Sequence, residues 1–328
     1  MNNQSTITIS AAEAGKRLDI FVAQKYPDYS RTHLSSLIKN SDILVNSNLV
    51  KPSYILKDMD RVDICLAEKQ ANTYVAPQHI ELNILYEDEN VIVINKQPGL
   101  VVHPAAGNKD HTLVNALVHY FPQIQEAVYE KGNTVSEARP GLVHRLDKDT
   151  SGVIIIAKNA RAMHSLSRQI QNRTVKKCYV SLNYGWPKEE SGEIINNIGR
   201  SQANRKVFVK VEPPKGREAI SHFTINKLFT DKFNHKFSMI NFEIRTGRTH
   251  QIRVHSKILG TPVIGDKVYN TKDSAKFSEL YGAQRQFLHA YKLSITLPGD
   301  NKPTEFVAPI PQDFVDFTSK LIVKNIDQ

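Results

Sequence analysis

The hydrophobic positions between residues 16 and 68 form a short series of separate elements. Apolar residues at helical spacing begin at Leu18 and predict a first short helix. Ser30 is well placed to cap a second helix, and two apolar runs bounded by turn residues predict strands. The predicted elements after the first helix are residues 31–39, 43–46 and 61–66.

A polar linker is predicted at residues 69–80, and short apolar runs follow it. Helices are expected at residues 112–120 and 159–172, and a polar loop at 126–138. Runs of strands with few helices indicate an α+β fold on a mixed, mostly antiparallel sheet, with a small domain over 16–75 and a larger one over 76–328. The expected strands of the larger domain are residues 84–86, 91–96, 153–157, 179–182, 207–209, 222–225 and 239–244.

The composition excludes several classes of protein. A chain of 328 residues with 40% hydrophobic and 23% charged residues is typical of a globular protein with two domains. No apolar stretch approaches the roughly 20 residues that cross a bilayer, and the polar N-terminus has no signal-peptide pattern. Cys65 and Cys178 have neither disulfide-framework nor metal-ligand spacing. We therefore expect a cytoplasmic protein without a membrane partner or a metal ion.

The net charge of +10 is unevenly distributed along the chain. Residues 158–177 contain six basic residues and no acidic one, and residues 196–217 contain six basic residues and one acidic. Two such stretches in one predicted domain indicate a surface for a polyanion, most often a nucleic acid.

One carboxylate stands out by its neighbours. Asp147 follows the apolar pair at residues 142–143 and is flanked by His144, Arg145 and Lys148. Nearby cations favour the ionised form of a carboxylate. An ionised, fixed carboxylate suits nucleophilic or charge-stabilising chemistry at a sugar carbon. On these residues alone, a salt-bridged surface turn explains the pattern equally well.

Four segments resemble, in order, the pseudouridine synthase family that modifies ribosomal large-subunit RNA. The segment around Asp147 reads Gly-Leu-Val-His-Arg-Leu-Asp-Lys-Asp-Thr-Ser-Gly and is similar to the first motif of that family. Further likeness places the chain nearest the D type of the family, through residues 27–31, 103–108 and 308–313. The four segments are residues 95–104, 141–152, 177–182 and 246–255.

The start of the chain resembles the S4 RNA-binding module over about 50 residues, from Arg17-Leu18-Asp19 to Asp60-Arg61-Val62. Ser47-Asn48 stands where that family usually has Gly after Asn. Because Asn tolerates positive φ, the turn remains possible. The resemblance implies that this module helps to position RNA, with Arg31 and Lys39 as contact residues.

The resemblance also implies roles in the larger domain. Asp147 is the essential acid, which attacks either C1′ of the ribose or C6 of the uracil; the sequence leaves both open. Tyr179 packs against the base, and Arg253 is the basic partner of the acid. Arg145 fills the space that the flipped base vacates. The further implied structural or RNA-contact residues are His144, Arg248, His250 and His255.

The substrate and the product are isomers, so no cofactor is expected. The implied partner is 23S ribosomal RNA or a precursor of the large subunit, bound by a monomer. Two alternatives stay open: the same chemistry at other 23S sites, and a non-catalytic RNA-binding factor in ribosome assembly. The set of Asp147, Tyr179 and Arg253 favours the enzyme, because a binding factor has no need of it.

Overall fold

A computed structural model of the chain describes residues 3–26, 29, 31–66, 75–104, 107–127, 139–204 and 206–325. The chain divides into two compact units, a smaller one within residues 1–74 and a larger one over 75–128 and 140–328. The predicted cap Ser30 and residues 128–138 of the predicted loop lie outside the described residues. No helix in the described ranges is long and apolar enough to span a membrane.

The smaller unit is a three-stranded antiparallel sheet with two helices. Its first strand was not predicted, because only Ile7 of its six residues is a large apolar residue. That strand pairs with the last one, with Ile7 opposite Val62, so the sheet includes residues upstream of the predicted boundary at residue 16. The elements are β1 (Asn3–Thr8), α1 (Leu18–Lys25), α2 (Arg31–Lys39), β2 (Ile43–Val45) and β3 (Arg61–Leu66).

The turn after β2 forms without glycine. Asn46 and Ser47 both have positive φ, 52° and 64°, which is the backbone geometry of a two-residue hairpin turn. Val45 and Asn48 exchange two backbone hydrogen bonds across it, of 3.0 and 2.9 Å. The Asn46 side chain also accepts the backbone N–H of Arg61 at 2.8 Å. The turn expected from the sequence is therefore present, although its positive φ falls on Asn46 and Ser47 and not on Asn48.

The larger unit holds most of the predicted elements at nearly the predicted bounds. Its strands are β4 (Ile84–Glu87), β5 (Val91–Lys96), β6 (Ser151–Ala157), β7 (Lys176–Tyr184), β8 (Ser191–Arg200), β9 (Phe208–Val211), β10 (Arg217–Thr230), β11 (Lys236–Ile244), β12 (Leu288–Thr296), β13 (Pro303–Val307) and β14 (Ile322–Lys324). Its helices are α3 (Leu113–Tyr120), α4 (Ile124–Ala127), α5 (Ala160–Gln171), α6 (Gln251–Ile258), α7 (Lys272–Leu280) and α8 (Gln312–Thr318).

Among the described residues these eleven strands form one sheet, in the order β4-β5-β6-β12-β7-β11-β10-β8-β9. In addition, β13 pairs with β12 and β14 pairs with β10. The pairing of β12 with β6 is parallel and the other pairings are antiparallel. The predicted α+β class with a mixed, mostly antiparallel sheet is confirmed. Every residue of β6 is buried, as expected for a central strand that is covered on both faces.

The start of β6 depends on a glycine. Gly152 has a φ of +111°, and a Cβ at this position would overlap the backbone of Ala290 on β12. This close approach allows the parallel pairing of the two strands. At the other end of β6, Asn159 caps α5 by accepting the N–H of Ala162 at 2.9 Å. The segment that carries Asp147 therefore enters a strand that is fixed at both ends.

Two fully buried histidines make the stability of the fold depend on pH. Burial lowers the pKa of His289 and of His255 to about 4. His289 donates from Nε2 to the carbonyl of Ala308 and accepts at Nδ1 from Ser151, so the neutral ring has both partners. An unfolded chain binds a proton at each histidine below a pH of about 6.5. The folded state does so only near pH 4, so stability is lost as the pH falls between these values.

We therefore expect the free energy of unfolding to fall by up to about 3 kcal/mol for each of these histidines between pH 6.5 and pH 4. Thermal melting followed by circular dichroism across this range measures the effect. The His289→Gln variant removes one of the titrating groups, so its melting temperature should depend less steeply on pH. An unchanged slope in that variant would contradict the assignment.

Candidate active site

The loop that carries Asp147 is held by hydrogen bonds from two other segments. The buried Lys96, at the end of β5, donates from Nζ to the carbonyls of Gln97, Leu100 and Lys148 at 2.8–3.0 Å. Arg285 donates from Nη1 to the carbonyl of Asp149 at 3.1 Å. These contacts fix the backbone on the C-terminal side of Asp147, so its carboxylate is presented from a constrained loop.

Arg253, on α6, joins two carboxylates. Its Nη1 donates to Oδ2 of Asp147 at 3.1 Å, while Nε and Nη2 donate to the two oxygens of Asp266 at 2.6 and 2.9 Å. Although burial opposes a charge here, the hydrogen bonds and charges of Asp266 and Asp147 raise the pKa of Arg253 above its ordinary value. Asp266 thus holds the guanidinium, which in turn orients the carboxylate of Asp147.

Asp266 is itself fully buried, which explains why it needs this partner. Burial favours its neutral form, but the Arg253 hydrogen bonds and the backbone N–H groups of Val268 and Tyr269 hold its pKa below the usual range. Asp266 is absent from the residues predicted from the sequence. The only local signal was an acid two positions after the apolar pair at residues 263–264, a position that requires a cationic partner if it is buried.

His250 also lies at the acid. It has a left-handed backbone conformation, with φ 58° and ψ 21°, directly before α6. Its Nδ1 is 2.8 Å from the hydroxyl of Tyr269, and its Nε2 is 3.8 Å from Oδ2 of Asp147. Burial, supported by the charge of Arg253, lowers the pKa of His250. These contacts indicate a neutral ring beside the acid, and the structural or RNA-contact role expected from the sequence stays a prediction.

Tyr179, on β7, forms one wall of a cavity of about 90 Å³ beside Asp147. Burial and the nearby charge of Asp147 raise the pKa of Tyr179, so the phenol stays protonated. The cavity exceeds the roughly 10–15 Å³ that one water molecule needs. Its walls combine aliphatic side chains and Tyr179 with polar side chains of the segment before and within α6, and its mouth carries Arg145, which is exposed. The arrangement brings an aromatic ring and aliphatic side chains next to a carboxylate in one cavity.

Two further residues of the larger unit, His144 and Arg248, were predicted to contact RNA. His144 accepts the backbone N–H of Ile155 at its Nε2, at 3.1 Å, and burial lowers its pKa to about 3. The hydrogen bond favours a structural role for His144, and an RNA contact by this residue stays a prediction. Arg248 donates from Nε to the carbonyl of Glu218 at 2.8 Å and also lines the cavity beside Asp147.

In the smaller unit, Arg31 donates through Nε and Nη2 to Asp19, at 3.2 and 2.8 Å. Hydrogen bonds from Arg17 and Arg31 outweigh the effect of burial and lower the pKa of Asp19 to about 2. Arg31 is thus partly committed to an ion pair, although about half of its side chain is exposed. Lys39 is exposed at the end of α2. An RNA contact by either residue stays a prediction.

Within the part of the chain that the structure describes, no group of three or more His, Cys, Asp or Glu side chains converges as a metal ion would require. Cys65 and Cys178 are partly buried free thiols.

Comparison with known proteins identifies the family. Residues 90–257 match the RNA pseudouridylate synthase family, and residues 16–62 match the S4 domain. The first match covers the segments with Lys96, Asp147, Tyr179 and Arg253, whereas Asp266 and Arg285 lie beyond it. The chain belongs to the RNA pseudouridylate synthase family, and it is an RNA pseudouridine synthase, an isomerase, with an S4 domain at its N-terminus.

Individual relatives extend the likeness over nearly the whole chain. An RNA pseudouridine synthase of Chlorobaculum parvum is 39% identical over 94% of this chain and 94% of its own length. The ribosomal large subunit pseudouridine synthase D of Neisseria meningitidis serogroup B is 37% identical, over 97% of this chain and 82% of its own. The solved structure of human RNA pseudouridylate synthase domain containing 1 shares the fold, with a TM-score of 0.57, 24% identity and coverage of 75% and 92%.

Proposed function

We propose that this chain converts uridine to pseudouridine in 23S ribosomal RNA, within a stem-loop of the large-subunit RNA. The observation that carries the proposal is the Asp147 carboxylate, whose Oδ2 lies 3.1 Å from Nη1 of Arg253, beside the cavity lined by Tyr179. The large-subunit target is supported by relatives named ribosomal large subunit pseudouridine synthase D, which match 97% of the chain.

The reaction breaks the bond between N1 of uracil and C1′ of the ribose, and it forms a bond between C5 and C1′. The C5 proton leaves and N1 gains a proton, so atoms and electrons balance without a further reactant. Asp147 is the group that attacks, at C1′ or at C6. Tyr179 packs against the uracil while the detached base turns. The protonated hydroxyl of Tyr179 is available as a hydrogen-bond donor.

The uridine reaches Asp147 only after it leaves its stack, which costs a few kcal/mol. Stacking on Tyr179 offsets part of that cost. Arg145, which is exposed at the mouth of the cavity, enters the space that the base vacates. One chain supplies Asp147, Arg253, Asp266 and Tyr179, which supports a monomer as the active form. The enzyme acts in the cytoplasm, where ribosomes are assembled.

Mapping of pseudouridines in ribosomal RNA tests the proposal. A strain that lacks this gene should lose pseudouridine at one or more uridines of a 23S stem-loop. The wild-type gene should restore these sites, and a gene carrying Asp147→Asn should not. If pseudouridine were lost from another class of RNA instead, that RNA would be the substrate and the proposal of 23S RNA would be wrong. Restoration by the Asp147→Asn gene would instead indicate a non-catalytic binding factor.

A further inference from the structure

A second cavity, of about 400 Å³, adjoins the Asp147 site in the larger unit. No Asp or Glu side chain of the described residues lines it. The two cavities share the wall formed by Tyr179, Ile244 and Gly247, so they are continuous along one surface. The cationic residues that line the second cavity are Arg145, Arg173, Lys177, Arg245 and Arg248.

Lys177 differs from Arg145 and Arg245 of this cavity, which also lack an ion pair among the described residues, because those two are exposed and Lys177 is not. It lies on β7, two positions before Tyr179, and is half-buried. Its Nζ is 3.9 Å from the position that a Cβ on Gly247 would take, so the ammonium group reaches the loop before α6. Within the described ranges no carboxylate lies within the 4.0 Å of an ion pair with it. Burial, and then the charge of Arg248, lower its pKa.

The neighbouring cations also repel one another. Burial, followed by the charges of Arg217 and Arg173, lowers the pKa of Arg248. Arg173 pairs with Glu218 at 3.0 Å, but that pair is about half exposed and therefore contributes little. A cluster of like charges destabilises the free protein, and a bound anion would relieve that repulsion. The cavity thus has the electrostatics of an anion site whose anion comes from outside the chain.

We propose that Lys177 and Arg248 bind a phosphodiester group of the RNA immediately beside the uridine that occupies the Asp147 site. This proposal rests on the proposed function, since it takes the neighbouring cavity as the place of the uridine. A phosphodiester fits because each nucleotide carries one, so a uridine at Asp147 brings a phosphate to the adjoining cavity. An arginine guanidinium group can donate two parallel hydrogen bonds to phosphate oxygens, and a lysine ammonium group adds a compact positive charge.

The test compares Lys177→Gln with a matched control, Lys176→Gln. Lys176 is the preceding residue of β7 and is exposed, and it does not line the cavity. Successive strand residues point to opposite faces, so the two variants remove equal charge on different sides. Binding is measured with an unmodified 23S RNA transcript over a range of salt concentrations, and turnover is measured by tritium release from C5 of labelled uridine.

Lys177→Gln should reduce the magnitude of the slope of log affinity against log salt by about 0.7–0.9. If the two proteins bind equally at about 1 M salt, the variant therefore binds about five- to eightfold more weakly than the wild type at about 0.1 M salt. KM should rise by a similar factor with kcat within about twofold, because a phosphate contact acts equally in the ground and transition states. Lys176→Gln should leave both nearly unchanged. An unchanged slope in Lys177→Gln, or an equal change in both variants, would overturn the phosphate site.

Two further readouts distinguish a phosphate contact from a structural role of Lys177. Removing a repelling charge should leave the melting temperature of Lys177→Gln equal to or above that of the wild type; a lower value would show that Lys177 is structural. In a stem-loop substrate, replacing the phosphate beside the target uridine by a neutral methylphosphonate should weaken binding by the wild-type protein. The same replacement should not weaken binding by Lys177→Gln any further. If the wild-type protein shows no turnover on 23S RNA, the proposed function fails while the salt slopes still report on the anion site.

Discussion

Replacing Asp147 by asparagine is expected to abolish pseudouridine formation while RNA affinity stays within about threefold of the wild type. The loss of turnover should be on the order of 10⁴-fold, the scale seen when a nucleophile is removed from an active site. Asparagine has nearly the same shape and keeps an oxygen that accepts from Nη1 of Arg253. The cavity therefore persists, and the variant removes only the charge and the nucleophilic oxygen. Tritium release from C5 of uridine measures turnover, and a filter-binding assay measures affinity.

Asp149→Asn is the matched control for this experiment. It makes the same chemical change two residues later in the same loop, where the backbone carbonyl, not the side chain, makes the contact with Arg285. Turnover should remain within about tenfold of the wild type, because only the background charge changes. Retained turnover in Asp147→Asn would end the assignment of Asp147. Equal losses in the two variants would show that the loop needs its negative charge in general.

Seven of the eleven strands of the larger unit could be predicted because each carries its own local signal, whereas β8, β12, β13 and β14 were not predicted. The apolar run of residues 153–157 and the run at 91–96 correspond closely to β6 and β5, which are buried on both faces. Asn159 likewise predicts the start of α5 through its capping side chain. Elements without such a signal were missed. β1 is mostly polar and is stabilised by pairing with β3, which is a contact between residues far apart in sequence.

The same distinction explains the site. The resemblance of residues 246–255 to a family motif led to Arg253, and the structure brings Arg253 to Asp147 across 106 positions of sequence. Its catalytic role stays a prediction. Asp266 has no comparable local signal, because its importance comes from burial against Arg253, which only the folded chain creates. His250 was identified as a structural or RNA-contact residue, and its position 3.8 Å from Asp147 follows from a left-handed backbone that the sequence did not indicate.

Arg253 should be needed for turnover far more than for RNA binding, but its simple removal is a poor test. Arg253→Ala leaves the fully buried Asp266 without its cation, which costs about 3–5 kcal/mol of folding free energy. Arg253→Lys keeps the charge, yet one ammonium group cannot reproduce the fork on Asp266 and the third contact on Asp147. We expect this variant to fold, to bind RNA within about threefold of the wild type, and to lose about 10²-fold in turnover, the scale of one misplaced electrostatic contact.

The double variant Arg253→Gln with Asp266→Asn separates support of the fold from catalysis. It removes both buried charges together, so the penalty of an unpaired carboxylate disappears and amide hydrogen bonds can replace the ion pair. Its melting temperature should therefore exceed that of Arg253→Ala by several degrees, at about 2–4 °C for each kcal/mol recovered in a domain of this size. Turnover should stay low, because Asp147 still lacks the cation that orients it. If turnover returned together with stability, Arg253 would be a structural residue, and the orientation of Asp147 would depend on the loop contacts of Lys96 and Arg285 alone.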